Sequence, residues 1–144
     1  MYTRLTTIFS FFVAVCLLFS APVFGGDLEG FQGEWEIVAV QSQGQNMQLP
    51  GKPTLKFEGN TSTSTVNGKT MEVSTFKLDE AKTPKTIDTT SQAEGGATKL
   101  GIYQIEGDEM AICVSTKADE RPAEFVTKEG DAHTVLLMLR RKKQ

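Results

Sequence analysis

The chain is predicted to be all-β: a small antiparallel β-barrel of about eight or nine strands, the range in which a barrel closes around side chains or one small ligand. Three observations carry this expectation. Short stretches rich in β-branched and aromatic residues recur between Gly, Asn, Asp and Pro turn signals. Apolar residues within those stretches fall on alternating positions, the period of a half-buried strand. After residue 25 nothing reads as a long amphipathic helix.

The first 25 residues stand apart from that pattern. Arg4 precedes an apolar run from Ile8 to Phe19 that only Ser10 interrupts, and Pro22 and Val23-Phe24-Gly25 follow it. A basic start, an apolar middle and a small-residue exit make a secretory signal peptide over 1–25. The run is shorter than the roughly 20 residues that cross a bilayer, which favours cleavage over anchoring. Cys16 lies inside the run after Val13-Ala14-Val15, a poor fit to a lipoprotein cleavage box. Residues 26–144 then form one domain, expected to be exported to the periplasm, the cell envelope or the medium, with no membrane span after cleavage.

Strand signals follow in order. Trp35, Ile37 and Ala39 share one face of a first strand, with Val38 and Val40 on the other. Gly44-Gln45-Asn46 breaks it, and Leu49-Pro50-Gly51-Lys52-Pro53 makes a proline-rich bend. Leu55 and Phe57 share a face of the strand 54–58, which Gly59-Asn60 ends. Asn67-Gly68 joins strands 62–66 and 70–78, because both residues tolerate positive φ. Met71 and Val73 lie on one side of the second, Phe76 and Leu78 on the other, so a bulge is expected near Ser74 or Thr75. Asp79 is placed to cap a single helical turn before Pro84. Ile87 marks a short strand, and residues 91–97 are a loop. Strands 100–105 and 110–114 form a hairpin around Glu106-Gly107-Asp108, apolar on both faces and therefore central. Lys117 to Pro122 is a charged loop, Phe125-Val126 a short strand, and 133–140 the last one.

Charge and cysteine content exclude several classes. Without Arg4 the remaining chain has 14 basic and 18 acidic residues, a net charge of −4. That balance disfavours nucleic acid, which needs a concentrated basic face. The Arg140–Lys143 cluster reads as a solvated tail. Only Cys113 remains beyond the signal, so no intramolecular disulfide staples the fold, and its place in MAICVS is that of a small buried hydrophobe.

Six segments taken in order resemble a planctomycete lipocalin-like domain family of unknown function. They are Phe31–Val38, Thr75–Asp79, Lys82–Asp88, Leu100–Tyr103, Gly107-Asp108 with Ile112-Cys113, and Arg121-Pro122 with Phe125. The resemblance spans nearly all of residues 28–140 and implies a bacterial exported protein with an up-and-down barrel of the calycin kind. It transfers no catalytic residue. Gly33-x-Trp35 also resembles the lipocalin opening, in which the Trp packs across the closed barrel end under a basic residue from near the terminus. That likeness implies structural roles for Trp35 and for Arg140 or its neighbour Arg141; the other lipocalin motifs are not evident.

Candidate chemistry is sparse. His133 is the single histidine, whereas hydrolytic and zinc sites draw on several such groups. The acidic pairs Asp79-Glu80, Asp108-Glu109 and Asp119-Glu120 sit in turns, where acids solvate easily. No phosphate loop, dinucleotide fingerprint or EF-hand pattern is present. No enzyme activity, cofactor or metal is therefore expected. Tyr103 and Arg121 remain as candidate ligand-binding residues. Tyr103 lies on a central strand, where its hydroxyl needs a ligand or a buried partner such as a loop carbonyl. Arg121 precedes a rigid proline, and either pins its loop through Asp119 or Glu124 or offers a fork to an anion. The expected function is a small-barrel module for a small apolar or amphipathic ligand. The alternative is a filled barrel that serves as a structural or protein-interaction domain. Trp35, Phe57, Phe76, Met71, Met110 and Met138 are the side chains that would line a cavity or plug it.

Overall fold

A computed structural model of the chain describes residues 26–143; the stretch read as a signal peptide lies outside them. A short helix α1 (Asp27–Phe31) precedes nine strands: β1 (Gly33–Ser42), β2 (Gln45–Asn46), β3 (Pro53–Glu58), β4 (Thr61–Val66), β5 (Lys69–Asp79), β6 (Thr86–Ser91), β7 (Thr98–Glu106), β8 (Glu109–Ser115) and β9 (Thr134–Arg141). All pairings are antiparallel: β1 pairs with β2, β3 and β9, and from β3 to β9 each strand pairs with the next. Eight strands therefore close an up-and-down barrel, and β2 is a two-residue addition beside the end of β1. The all-β barrel expected from the sequence is the fold.

Two bulges shape it, and neither is where the sequence pattern suggested. In β1, Ile37 faces Leu139 but Ala39 faces Met138, which makes Val38 the extra residue. Parity flips there: Trp35 and Ile37 point inward, Ala39 lies opposite exposed Met138, and Val40 meets inward Leu137. In β5, Ser64 faces Glu72 but Thr65 faces Thr70, so the extra residue is Met71, itself 61% exposed. No register shift occurs at Ser74 or Thr75. Glu72, Ser74, Phe76 and Leu78 consequently share the inner face. Bulges bend strands and raise twist, which helps a sheet to close.

The barrel has a closed end and an open end. α1 sits at the closed end, together with the β3–β4, β5–β6 and β7–β8 turns. Phe31 of α1 packs between Phe57, Phe76 and Tyr103 at ring distances of 5.0, 5.7 and 5.0 Å. With Trp35, Ile87, Met110, Ile112 and Leu139 these rings fill that half of the interior. Burial of each such side chain contributes about 1.5–3 kcal/mol. A second, smaller cluster lies outside the wall: Ile102, Cys113 and Leu136, covered by Phe125 from the long β8–β9 connection. β7 and β8 are apolar on both faces for this reason. Phe125 and Val126 belong to that connection and form no strand, and Asp79 caps no helix; its Oδ1 accepts the Ala81 N–H in a turn. Met71 and Met138 neither line nor plug the interior, since both are exposed.

Candidate functional site

Trp35 closes the barrel end. Its indole N–H donates to the Phe31 carbonyl at 2.8 Å, and the side chain has no exposed surface. The cation over it is Arg141, not Arg140, with the guanidinium carbon 4.3 Å from the ring centroid. Arg141 also donates from Nη1 to the Gln32 carbonyl at 2.9 Å and from Nη2 to the Gly30 carbonyl at 2.7 Å, so it ties the last strand to α1. Arg140 is exposed on the outer face opposite Glu36. Strand alternation explains the choice, since Arg141 is the residue paired with Trp35. Gly33 precedes this corner at φ 109°, a conformation that disfavours any side chain.

Tyr103 belongs to the same closed end. Its ring is fully buried, and its hydroxyl donates to Asp27 Oδ2 at 2.8 Å rather than to a loop carbonyl. Lys85 Nζ donates to the same oxygen at 2.6 Å, and Asp27 N–H donates to Glu80 Oε1 at 2.7 Å. Burial opposes ionisation of Asp27. Hydrogen bonds from Lys85 and Tyr103, with the Lys85 charge, outweigh it and hold the carboxyl below its ordinary value. Burial, then the hydrogen bond to Asp27 and its charge, push the Tyr103 hydroxyl far above the ordinary phenol range. The hydrogen bond to Asp27 likewise raises the Lys85 ammonium. Such a network latches α1 onto β7, and its polar groups already serve one another.

Arg121 lies on the other side of the wall. Its Nη1 donates to the Gly101 carbonyl at 2.7 Å, and its Nη2 stands 2.7 Å from Asp88 Oδ1 in an ion pair. Neither Asp119 nor Glu124 is its partner. It pins the β8–β9 connection onto β6 and β7, beside a surface groove of about 490 Å³ that Lys77, Lys82 and Pro122 also line. Gly101 leaves no room inward, since a Cβ there would meet the Cys113 carbonyl oxygen at 2.7 Å. Tyr103 inside and Arg121 outside do not meet, so the two sequence-chosen ligand residues do not form one site.

A different set of residues lines the interior at the open end, around a cup of about 120 Å³. Its floor and one side are apolar: Leu55, Phe57, Ile87, Ile112, Val114 and Leu137. The opposite side is hydroxylated, by Ser62 and Ser64 of β4, Ser74 of β5 and Thr89 of β6. Toward the rim Glu72 and Lys99, on the two strands that flank β6, approach each other side by side, with Nζ 3.5 Å from Oε2 and both side chains a little over one-third exposed. Apart from Phe57, sequence reading did not assign these residues to a cavity. Their signal was the parity of β5, where Glu72 and Ser74 fall in step with Phe76; a polar residue at an inward position marks an interior that is not fully apolar.

Cys113 is buried under the β8–β9 connection, and burial raises its thiol above the ordinary range, the opposite of an activated nucleophile. His133 sits at the start of β9, its ring 3.2 Å from the Thr116 hydroxyl. Among the described residues no three His, Cys, Asp or Glu side chains converge as metal ligands, and no helix is long and apolar enough to cross a membrane. Compared with known proteins, the chain matches no family model, no curated protein and no solved structure.

Proposed function

We propose that this protein is an exported binding module that holds one small amphipathic ligand in the open-end cup, apolar end inward. The observation that carries the reading is the composition of that cup: six apolar side chains face four hydroxyls under a charged pair. Small-molecule sites combine such an apolar wall with a few placed polar groups. The volume sets the size, since an apolar cavity of about 150 Å³ accommodates benzene. A tail of four to six carbons fits, with its head at the rim. Export is supported by the Arg4, Ile8–Phe19 and Val23–Gly25 series. The resemblance to the planctomycete lipocalin-like domains implies export and an up-and-down barrel, and the reading assigns no catalysis.

A panel of amphiphiles sharing one branched five-carbon unit tests this reading: isoamyl alcohol and isoamylamine, and isocaproate and leucine, which each add a carboxyl carbon. Methyl resonances of Leu55, Ile112, Val114 and Leu137 should shift saturably with at least one of them. If no head group gives such shifts, the rival reading replaces this one. In that reading a filled barrel meets a protein partner through its outer wall, where Val38 and Met138 are exposed.

A further inference from the structure

We infer that the ligand of the cup is a small aliphatic zwitterion, of the chemical class of an aliphatic α-amino acid. The inference rests on the binding function proposed above and names the ligand's head group.

The rim decides the head group. Glu72 and Lys99 approach from β5 and β7, the strands on either side of β6, and their charged atoms are 3.5 Å apart. This is an ion contact and not a tight hydrogen bond, so each group retains capacity for a better partner. A carboxylate head alone would take Lys99 and leave Glu72 beside a second negative charge. An ammonium head alone would take Glu72 and do the same to Lys99. An alcohol would leave the pair as it is and gain only hydroxyl contacts. A zwitterion serves both groups at once: its ammonium goes to Glu72, its carboxylate to Lys99, and the rim stays neutral.

Dimensions agree with this head. In an α-amino acid the ammonium nitrogen and the carboxylate oxygens are about 3 Å apart, from standard bond lengths around one carbon. That spacing suits insertion between two side chains that already stand at ion-pair distance and retain rotamer freedom at a rim about one-third exposed. Beneath the head, Ser64, Ser74 and Thr89 offer hydroxyls that can accept from an ammonium or donate to a carboxylate. Below them the apolar floor of Leu55, Ile112 and Leu137 takes the tail. A four-carbon branched tail is within the 120 Å³ of the cup.

The test compares leucine with the three compounds that lack one or both of its charges. Calorimetry gives the affinities, and the cup methyl resonances locate each compound. Two charge-assisted hydrogen bonds at a partly solvated rim should make leucine roughly tenfold or more tighter than isoamyl alcohol. Leucine should also bind tighter than isocaproate and isoamylamine. Glu72→Gln and Lys99→Gln should each remove most of that advantage, with the thermal melt and dispersed methyl spectrum of each variant reporting that it is folded; an advantage kept in full by both folded variants overturns the zwitterion. Equal binding of all four compounds, or an acid or amine as tight as leucine, overturns the zwitterion while the cup remains a ligand site. Failure of all four to shift the cup methyls overturns both readings.

Discussion

The Tyr103 hydroxyl donates to Asp27 Oδ2 at 2.8 Å and so joins β7 to a helix 76 positions earlier in the chain. The phenol is pushed up by burial and by the carboxylate it serves, while the carboxylate is held down by Lys85 and the phenol. Tyr103→Phe should destabilise the barrel by about 1.5–3 kcal/mol, the range for a hydrogen bond to a charged group. It should leave ligand affinity at the open end unchanged. Urea unfolding of the two proteins, alongside a ligand titration, measures both.

A pH dependence follows from the same pair. In the unfolded chain Tyr103 loses its proton near its ordinary value of 10.0, whereas in the fold it keeps it, so this contribution is complete below pH 10 and falls as pH rises beyond it. Lys85 acts in the same direction above its ordinary 10.5. Asp27 acts at the other extreme: its contribution is present above 3.8 and is lost as pH falls through the lower folded value. Melting temperature should drop on both flanks, and Tyr103→Phe should shrink the alkaline drop without abolishing it, since Lys85 remains. An unchanged alkaline flank in that variant would show that the phenol is not protected.

Trp35→Ala should cost about 3–5 kcal/mol, as for large aromatics removed from cores. Arg141→Lys keeps a cation near the indole but loses the fork that holds the Gln32 and Gly30 carbonyls, and should cost about 1–2 kcal/mol as hydrogen bonds without replacement. Arg140→Lys should be nearly silent, as exposed substitutions usually are. Equilibrium denaturation of the three variants ranks them, and an Arg140 effect equal to that of Arg141 would contradict the assignment.

Ser74→Leu places a branched apolar side chain on the hydroxylated wall of the cup. It should abolish amphiphile binding while the melting temperature stays level or rises, because the interior gains apolar contact. A variant that unfolds instead would mean that the cup is too small to be filled.

Gly26 is expected as the first residue of the exported protein, from the signal series ending at Gly25. N-terminal sequencing of protein taken from its native cell checks this, and an intact Met1 on cytoplasmic protein would end the export reading.

Most of the strand order was legible because turn chemistry punctuates the chain: Gly59-Asn60, Asn67-Gly68 and Gly107-Asp108 all lie at hairpin turns of the fold. Trp35 as a closing residue was legible from Gly33-x-Trp35, but which arginine covers it depends on strand register, and a one-residue step selects Arg141 over Arg140. The cup was hidden by a bulge placed in the wrong strand segment. Assigning the parity break to Ser74 or Thr75 turned Glu72 outward; the actual extra residue, Met71, keeps Glu72 and Ser74 inside. Asp27 was hidden for another reason. A lone acid before a strand carries no local pattern, and its partners Lys85 and Tyr103 become neighbours only when the barrel closes.

Closure of the ring through β1 and β9 has a kinetic consequence. The strand made first during synthesis finds its second neighbour only when the strand made last has left the ribosome. Until then β1 offers a bare edge to any passing chain, while hairpins with two-residue turns such as β3–β4, β4–β5 and β7–β8 can form at once. Joining residues about a hundred positions apart incurs loop-closure entropy before any contact repays it, so this small domain should refold in milliseconds to seconds rather than microseconds. If the chain is exported as proposed, it gains from that delay, because a barrel that cannot shut early stays threadable.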